Sequence, residues 1–177
     1  MRYIKKDFYD KLLAVHLLME VCDFDLFDKL YTHSTEVATR VEGKAKVVAL
    51  LHDIVEDTPT TVEDIEHMFG IRIAEAVDLL TRKKEDTYFD YIHKIATSGD
   101  KLAIEVKLAD LADHLEKVDT LKPSLKKRYE KATLILRGDI YWHYTYIIPQ
   151  FSRQVKFNRL FRFCEFAGFQ KNSKKRL

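Results

Sequence analysis

An apolar run that ends abruptly in ionisable residues is the feature that most limits how this chain can fold. Residues 47–51 read Val-Val-Ala-Leu-Leu. The next six positions hold four ionisable residues, namely His52, Asp53, Glu56 and Asp57. A helix that is apolar on nearly every side belongs in the centre of a fold, and we predict one over residues 44–57, ended by Pro59. Burying its ionisable groups without partners would cost several kcal/mol, so the pattern predicts a partner such as a cation beside them.

The other apolar residues also recur with a helical period. The chain has 177 residues, of which 46% are hydrophobic and only five are Gly and three Pro. This composition favours a globular, helix-rich protein over a disordered or fibrous one, and we predict an all-α fold, a compact helical bundle. One predicted helix lies within residues 24–42 and begins near Thr32 or Ser34, and another follows a Thr60–Glu63 capping box and ends at Phe69. The other predicted helices cover residues 5–21, 44–57, 71–82, 86–97, 101–118 and 122–136.

The C-terminal part of the chain differs from the rest in charge. We predict a main domain over residues 1–137 and an aromatic, basic extension over residues 138–177 that packs on it. From residue 153 onward the net charge is +7, against +2 for the whole chain, so the preceding residues carry −5. A basic, aromatic segment is compatible with nucleic-acid binding. The spacing of its Phe residues is better explained by packing, so we do not expect nucleic acid as a partner.

Sequence patterns also indicate the compartment. No apolar run reaches the roughly 20 residues that span a bilayer, and the N-terminus lacks the apolar core of a signal peptide. Cys22 and Cys164 form neither a zinc-binding spacing nor a disulfide framework. We therefore expect a cytoplasmic protein without a membrane partner.

Helical spacing groups the ionisable residues that follow the apolar run. His52 lies four residues before Glu56, and Asp53 lies four before Asp57, so on one continuous helix all four would share one arc. We interpret His52 and Asp53 as metal ligands, with Glu56 and Asp57 reaching a substrate or a water molecule. The alternative is a solvated helix end in which the histidine is an ordinary core residue.

Two other stretches offer further ligands. Asp110 lies in an apolar helical run, with Lys107, Asp113 and His114 on the same face. An intrahelical pair is worth only about 0.2–0.5 kcal/mol, which is too little to explain an acid in such a run, so a metal is favoured. His33 lies at the predicted start of a helix, where its side chain can point out of the core. Taken alone, a histidine at this position is more often a surface or capping residue than a ligand.

The order of these residues resembles that of a known superfamily. His33, then His52-Asp53, then Asp110, with helices between them, resembles the HD superfamily of metal-dependent phosphohydrolases. More narrowly, the chain is similar to the hydrolase domain of the RelA/SpoT family in a short, single-domain form. The stretches that carry this similarity are Ala49–Thr58, Phe69-Gly70, Ala76–Thr81, Val106–Asp110 and Arg128–Ala132. The resemblance implies an all-α fold of the HD type over about residues 8–137.

The resemblance also implies roles for individual residues. It implies that one divalent ion is held by His33, His52, Asp53 and Asp110. The ion implied first is manganese, with iron, zinc or cobalt as alternatives. It implies that Glu56 and Asp57 position or activate the water molecule that attacks the substrate. It implies that the substrate is contacted by His114, Lys107 and Arg82. The implied activity is release of pyrophosphate from the 3′ position of guanosine tetra- or pentaphosphate, a phosphorylated nucleotide of the stringent response.

Two departures from the family pattern leave other functions open. His114 stands where the family usually has an asparagine that contacts the nucleotide, and it could donate a hydrogen bond or approach the metal. Residues 22–29 are acidic where the family has a basic, glycine-bearing element, which is unfavourable for a highly anionic substrate. The alternatives are a binding or regulatory module with altered or lost turnover, and a phosphatase that removes a 2′- or 3′-phosphate from another nucleotide.

Overall fold

A computed structural model describes residues 6–117 and 119–139 of the chain. Within these residues the structure consists of helices and contains no strand, which confirms the predicted all-α class. The helices are α1 (Lys6–Val21), α2 (Phe24–Thr39), α3 (Lys44–Leu51), α4 (Ile54–Asp57), α5 (Val62–Phe69), α6 (Ile71–Leu80), α7 (Tyr88–Ser98), α8 (Lys101–Glu116) and α9 (Pro123–Arg137).

The long helix predicted over residues 44–57 is divided in two. Helix α3 ends at Leu51, and α4 begins at Ile54. The backbone of Asp53, at φ −102° and ψ −5°, leaves regular helical geometry, and its carbonyl accepts hydrogen bonds from the Glu56 and Asp57 amides. The prediction of one continuous helix was therefore wrong, and the assumed stacking of His52 over Glu56 loses its basis.

Helix α2 begins earlier than predicted. Its N-cap is Asp23, whose carboxylate accepts a hydrogen bond from the Leu26 amide at 2.9 Å, so the helix starts at Phe24 instead of near Thr32 or Ser34. His33 consequently lies in the middle of a long helix. The capping box of α5 is likewise formed by Thr61 and Asp64 and not by the predicted pair one residue earlier.

Helix α3 is central, as its apolar sequence predicted. It packs against α1, α2, α6 and α8, and residues 47–51 are all buried. Full burial of a Val or Leu side chain stabilises a fold by roughly 1.5–3 kcal/mol, so this helix is held firmly among its neighbours. The C-terminal end of α3, from which His52 and Asp53 emerge, is therefore held in one position inside the bundle.

Helices α2 and α8 pack against each other, and charged groups near their C-terminal ends tie them together. The Arg40 guanidinium donates two hydrogen bonds of 2.8 Å to the Glu116 carboxylate, and Lys117 Nζ lies 3.0 Å from Glu36 Oε2. A bidentate arginine–carboxylate pair has a defined geometry. These contacts join the two helices at this end, and they are partly exposed to solvent.

Residues 140–177 lie outside the described part of the chain, and so does Cys164. The boundary near residue 137, the packing of the extension and the expected lack of nucleic-acid binding therefore stay predictions. Across residues 6–117 and 119–139, no helix is both long enough and apolar enough to cross a membrane.

Candidate metal centre

The four residues predicted as metal ligands lie together, although they come from three separate parts of the fold. His33 comes from α2, His52 and Asp53 from the break between α3 and α4, and Asp110 from α8. His33 Nε2 lies 3.2 Å from Asp110 Oδ1 and 3.8 Å from Asp53 Oδ2, and His52 Nε2 lies 3.2 Å from Asp53 Oδ2. Two ligand atoms about 2.1 Å from one ion, at right angles, are about 3 Å apart. The spacing of these atoms is that of neighbouring ligands.

His52 is held in one orientation by the backbone. Its Nδ1 lies 2.7 Å from the Ala49 carbonyl oxygen, which can only accept, so Nδ1 carries the proton and Nε2 presents a lone pair. Nε2 is buried and has no hydrogen-bond partner within the described residues. A lone pair and a carboxylate oxygen of Asp53 at 3.2 Å repel each other unless a cation or a proton lies between them. This arrangement fits a metal ligand.

His33 is oriented by Asp113, a residue to which sequence reasoning assigned no role. Asp113 Oδ2 lies 3.1 Å from His33 Nδ1, and Asp113 is itself held by Lys117 Nζ at 2.8 Å. A carboxylate on one imidazole nitrogen directs the other nitrogen towards a metal. Asp113 is 3% exposed, and an acid on the apolar side of α8 was the only signal in the sequence that could have indicated it.

Three carboxylates surround His33. Burial would lower the pKa of His33, but the carboxylates of Asp110, Asp53 and Asp113 outweigh burial and raise that pKa above its usual value of 6.5. Three carboxylates around one imidazole stabilise a positive charge at this place. A divalent cation at this place would be stabilised by the same carboxylates.

The two oxygens of Asp110 have different surroundings. Oδ2 accepts a hydrogen bond of 2.7 Å from Lys107 Nζ. Oδ1 is buried and accepts no well-aligned hydrogen bond from the described residues, although Nε2 of His33 and Nε2 of His114 each lie 3.2 Å away. Lys107 thus neutralises one side of this carboxylate and leaves the other side for a cation.

The pairing of Lys107 with Asp110 explains why both side chains are ionised. Burial would raise the pKa of Asp110, but the Lys107 ammonium, followed by His114 and His33, holds that pKa well below its usual value. Burial would lower the pKa of Lys107, but the Asp110 carboxylate holds that pKa well above its usual value. Lys107, which was predicted to contact the substrate, has its ammonium directed to Asp110 in this structure.

Glu56 and Asp57 border the centre differently. Glu56 Oε1 accepts a hydrogen bond of 2.5 Å from the backbone amide of Arg82, which attaches the turn after α6 to α4. Asp57 is exposed, and its Oδ2 lies 4.0 Å from Lys29 Nζ. Arg82, another predicted substrate contact, thus contacts Glu56 through its backbone, and its side chain is exposed.

An open cleft of about 510 Å³ leads to the centre. Its walls include His33, Asp53 and His114 from the centre and Asp57 from α4. The remaining charged groups of its wall are Asp28, Lys29, Glu36 and Lys117. The acidic approach predicted from residues 22–29 is present as Asp28, and Lys29 and Lys117 offset it in part.

Comparison with known proteins finds relatives by sequence and by fold. No family model matches the chain. A guanosine-3′,5′-bis(diphosphate) 3′-pyrophosphohydrolase of Haemophilus influenzae is 32% identical over 117 residues, which cover 58% of this chain and 17% of that protein. The bifunctional (p)ppGpp synthase/hydrolase SpoT of Escherichia coli matches with the same identity and coverage. A pyrophosphohydrolase of the same name from Spiroplasma citri is 35% identical over 104 residues, which cover 54% of this chain and 14% of that protein.

The chain spans less than a fifth of the length of these curated relatives. A solved structure of a metazoan ortholog of SpoT, described as hydrolysing ppGpp, matches with a TM-score of 0.58 at 22% identity. That match covers 78% of this chain and 89% of the other, and it shows a shared fold. The predicted resemblance to the RelA/SpoT-type hydrolases is therefore confirmed, by sequence over more than half of the chain and by fold over most of it.

Proposed function

We propose that this chain is a metal-dependent phosphohydrolase that releases pyrophosphate from the 3′ position of guanosine 3′,5′-bis(diphosphate). The observation that carries the proposal is that His52 and Asp53 on one side and Asp110 on the other meet at His33. Two buried ligand atoms there, His52 Nε2 and Asp110 Oδ1, have no well-aligned hydrogen-bond partner among the described residues. The names of the sequence relatives support the substrate. We also propose the cytoplasmic location that the sequence predicted.

The ligand set fits a single divalent ion. Two imidazoles and two carboxylates suit manganese, which we propose first, and also iron, zinc or cobalt. When bound, the ion would polarise phosphoryl oxygens and make a coordinated water molecule more acidic. The protein would keep the ligands ready for it through the Ala49 carbonyl on His52, Asp113 on His33 and Lys107 on Asp110.

Asp57 is the better placed of the two candidate acid–base residues. Its carboxylate lines the cleft and is exposed to water, so it can orient the attacking water and accept its proton. The water oxygen would form a bond to phosphorus, the bond between phosphorus and the 3′ oxygen would break, and a proton would end on the 3′ hydroxyl of GDP. Glu56, which holds the Arg82 amide, would position the turn beside the cleft and share the proton with Asp57.

The turn after α6 can offset the acidic wall of the cleft. Residues 82–84 read Arg-Lys-Lys, all are exposed, and the hydrogen bond from Arg82 to Glu56 places this turn beside α4. Guanidinium and ammonium groups are the usual partners of phosphate oxygens. We propose that this turn binds the 5′-diphosphate or the leaving pyrophosphate.

One observation favours a second candidate function. The cleft wall carries Asp28, Glu36 and Asp57 in addition to the ligand Asp53, and Lys29 and Lys117 offset this charge only in part, which disfavours a highly charged substrate. A nucleotide with a single 2′- or 3′-phosphate would meet less repulsion. The same centre would then act as a phosphatase.

The test is product analysis with manganese-loaded full-length protein and Asp53→Asn as the control. Guanosine tetraphosphate and nucleotides with a single 2′- or 3′-phosphate are offered separately. GDP and pyrophosphate from the tetraphosphate, absent with the variant, would support the proposal. Phosphate released only from the other nucleotides would favour the second candidate. No product from any substrate, with metal bound, would leave a binding or regulatory module as the better interpretation.

A further inference from the structure

His114 has a more restricted environment than a substrate contact requires. Its ring lies between the His33 ring, with centroids 5.0 Å apart and planes at 29°, and the Tyr129 ring, with centroids 5.2 Å apart and planes at 23°. The imidazole thus stacks on two neighbouring rings, and its side chain is 37% exposed at the cleft. These ring contacts orient the imidazole and leave its edge available to bind.

The edge of the ring points to the metal centre. His114 Nε2 lies 3.2 Å from Asp110 Oδ1, the buried oxygen that accepts no well-aligned hydrogen bond from the described residues. Ligand atoms of His33, Asp110 and His114 all lie within 4.8 Å of one another. His33, His52 and Asp53 form a second such group, and the two groups share His33.

We infer that His114 is a fifth ligand of the ion held by His33, His52, Asp53 and Asp110, an inference that rests on the proposed metal site. The distance from Asp110 Oδ1 to His114 Nε2 equals its distance to His33 Nε2, and both are close to the roughly 3 Å that separates neighbouring ligands around one ion. Packing between two rings holds the imidazole in place, so little side-chain freedom is lost when it coordinates.

A simple ion pair explains His114 less well. Asp110 is already paired with Lys107, so a second cationic partner is not needed to neutralise it. The neighbouring group of His33, Glu36 and Asp113 does not make a second metal site, because Lys117 Nζ lies 3.0 Å from Glu36 and 2.8 Å from Asp113. The position that a cation would take there is already filled by an ammonium.

A fifth ligand changes which metal is preferred. Three imidazoles and two carboxylates favour cobalt, nickel or zinc over manganese more strongly than two imidazoles and two carboxylates do. The additional nitrogen also leaves one position fewer for water and phosphate. His114 therefore sets metal preference, and it does so at the position where a nucleotide contact was predicted.

The experiment measures metal binding and not turnover. Metal-free full-length protein, His114→Phe and His114→Asn are titrated with Co²⁺ and with Mn²⁺ by calorimetry, and the visible absorption of the Co²⁺ forms is recorded. Phe keeps the ring stacking and lacks the nitrogen, and Asn tests the result with a small polar side chain. His67→Phe, on the exposed side of α5, is the matched control.

We expect both His114 variants to bind Co²⁺ at least about 10–100-fold more weakly, to lose less affinity for Mn²⁺, and to change the Co²⁺ absorption. The control should match the wild type. Unchanged Co²⁺ affinity and absorption in a folded His114 variant would overturn the inference and leave the four-residue site intact. A wild-type protein that binds neither ion would overturn the inference and the proposed function together.

Discussion

Replacing Lys107 with Met should strongly destabilise the metal-free protein. The Lys107 ammonium donates to Asp110 Oδ2 at 2.7 Å, and the two side chains are only 14% and 4% exposed. Met has nearly the same length as the lysine stem, so the substitution removes the charge and keeps most of the packing. Asp110 is left as a buried carboxylate without its ammonium partner.

The size of the effect follows from this burial. Removing one partner of a buried ion pair costs about 3–5 kcal/mol of unfolding free energy. For a chain of this size each kcal/mol lowers the melting temperature by about 2–4 °C, so we expect a decrease of about 6–20 °C without metal. A divalent ion bound at Oδ1 would stabilise the carboxylate in place of Lys107, so the decrease should be smaller with metal.

The assay is thermal melting followed by circular dichroism, with a chelator and with saturating Mn²⁺. The double variant Lys107→Met with Asp110→Leu removes both charges and should be more stable than the single variant without metal. Lys126→Met, at an exposed position of α9, is the matched control. A metal-free melting temperature within about 2 °C of the wild type, or an equal decrease with and without metal, would refute the reasoning.

Three further predictions concern the site. Asp53→Ala should abolish tight Mn²⁺ binding measured by calorimetry, and full metal occupancy in this variant would remove Asp53 from the ligands. Glu56→Gln with Asp57→Asn should keep the metal and lose at least about 100-fold in turnover, and unchanged turnover would exclude both from the mechanism. In the metal-free protein the pKa of His33, measured by NMR, should exceed 6.5, and its stabilising effect should be complete below about pH 6.5 and disappear as the pH rises through that raised pKa. Asp113→Asn should lower the pKa of His33, and an unchanged value would show that Asp113 does not act on this ring.

Local sequence was sufficient for much of the fold. The apolar run over residues 47–51 predicted a central helix, and α3 is buried and contacts four other helices. The first and last residues of helices α5 to α9 lie within about two residues of the predicted ones. The capping box of α5 is one residue later than predicted. Apolar periodicity and helix-end residues act over a few neighbouring positions, and those positions are visible in the sequence.

Local sequence was misleading where backbone geometry depends on neighbours. The helix break at His52 and Asp53 contains no Gly or Pro, so no residue in that stretch indicated that the helix would be interrupted. The start of α2 was placed too late because Thr32 and Ser34 are good capping residues, whereas Asp23 caps the helix in the structure. Both errors affected where ligand side chains were expected to lie.

The sequence by itself determined that the chain is helical, that His52 and Asp53 emerge from a buried helix, and that Asp110 is an acid in an apolar environment. Only the tertiary structure decided that His33 meets Asp110 across 77 positions of sequence and that Asp113 orients His33. Helix formation depends on residues that are close to one another in the sequence. Contacts between α2 and α8 depend instead on the register in which the two helices pack, which arises when the whole core is buried.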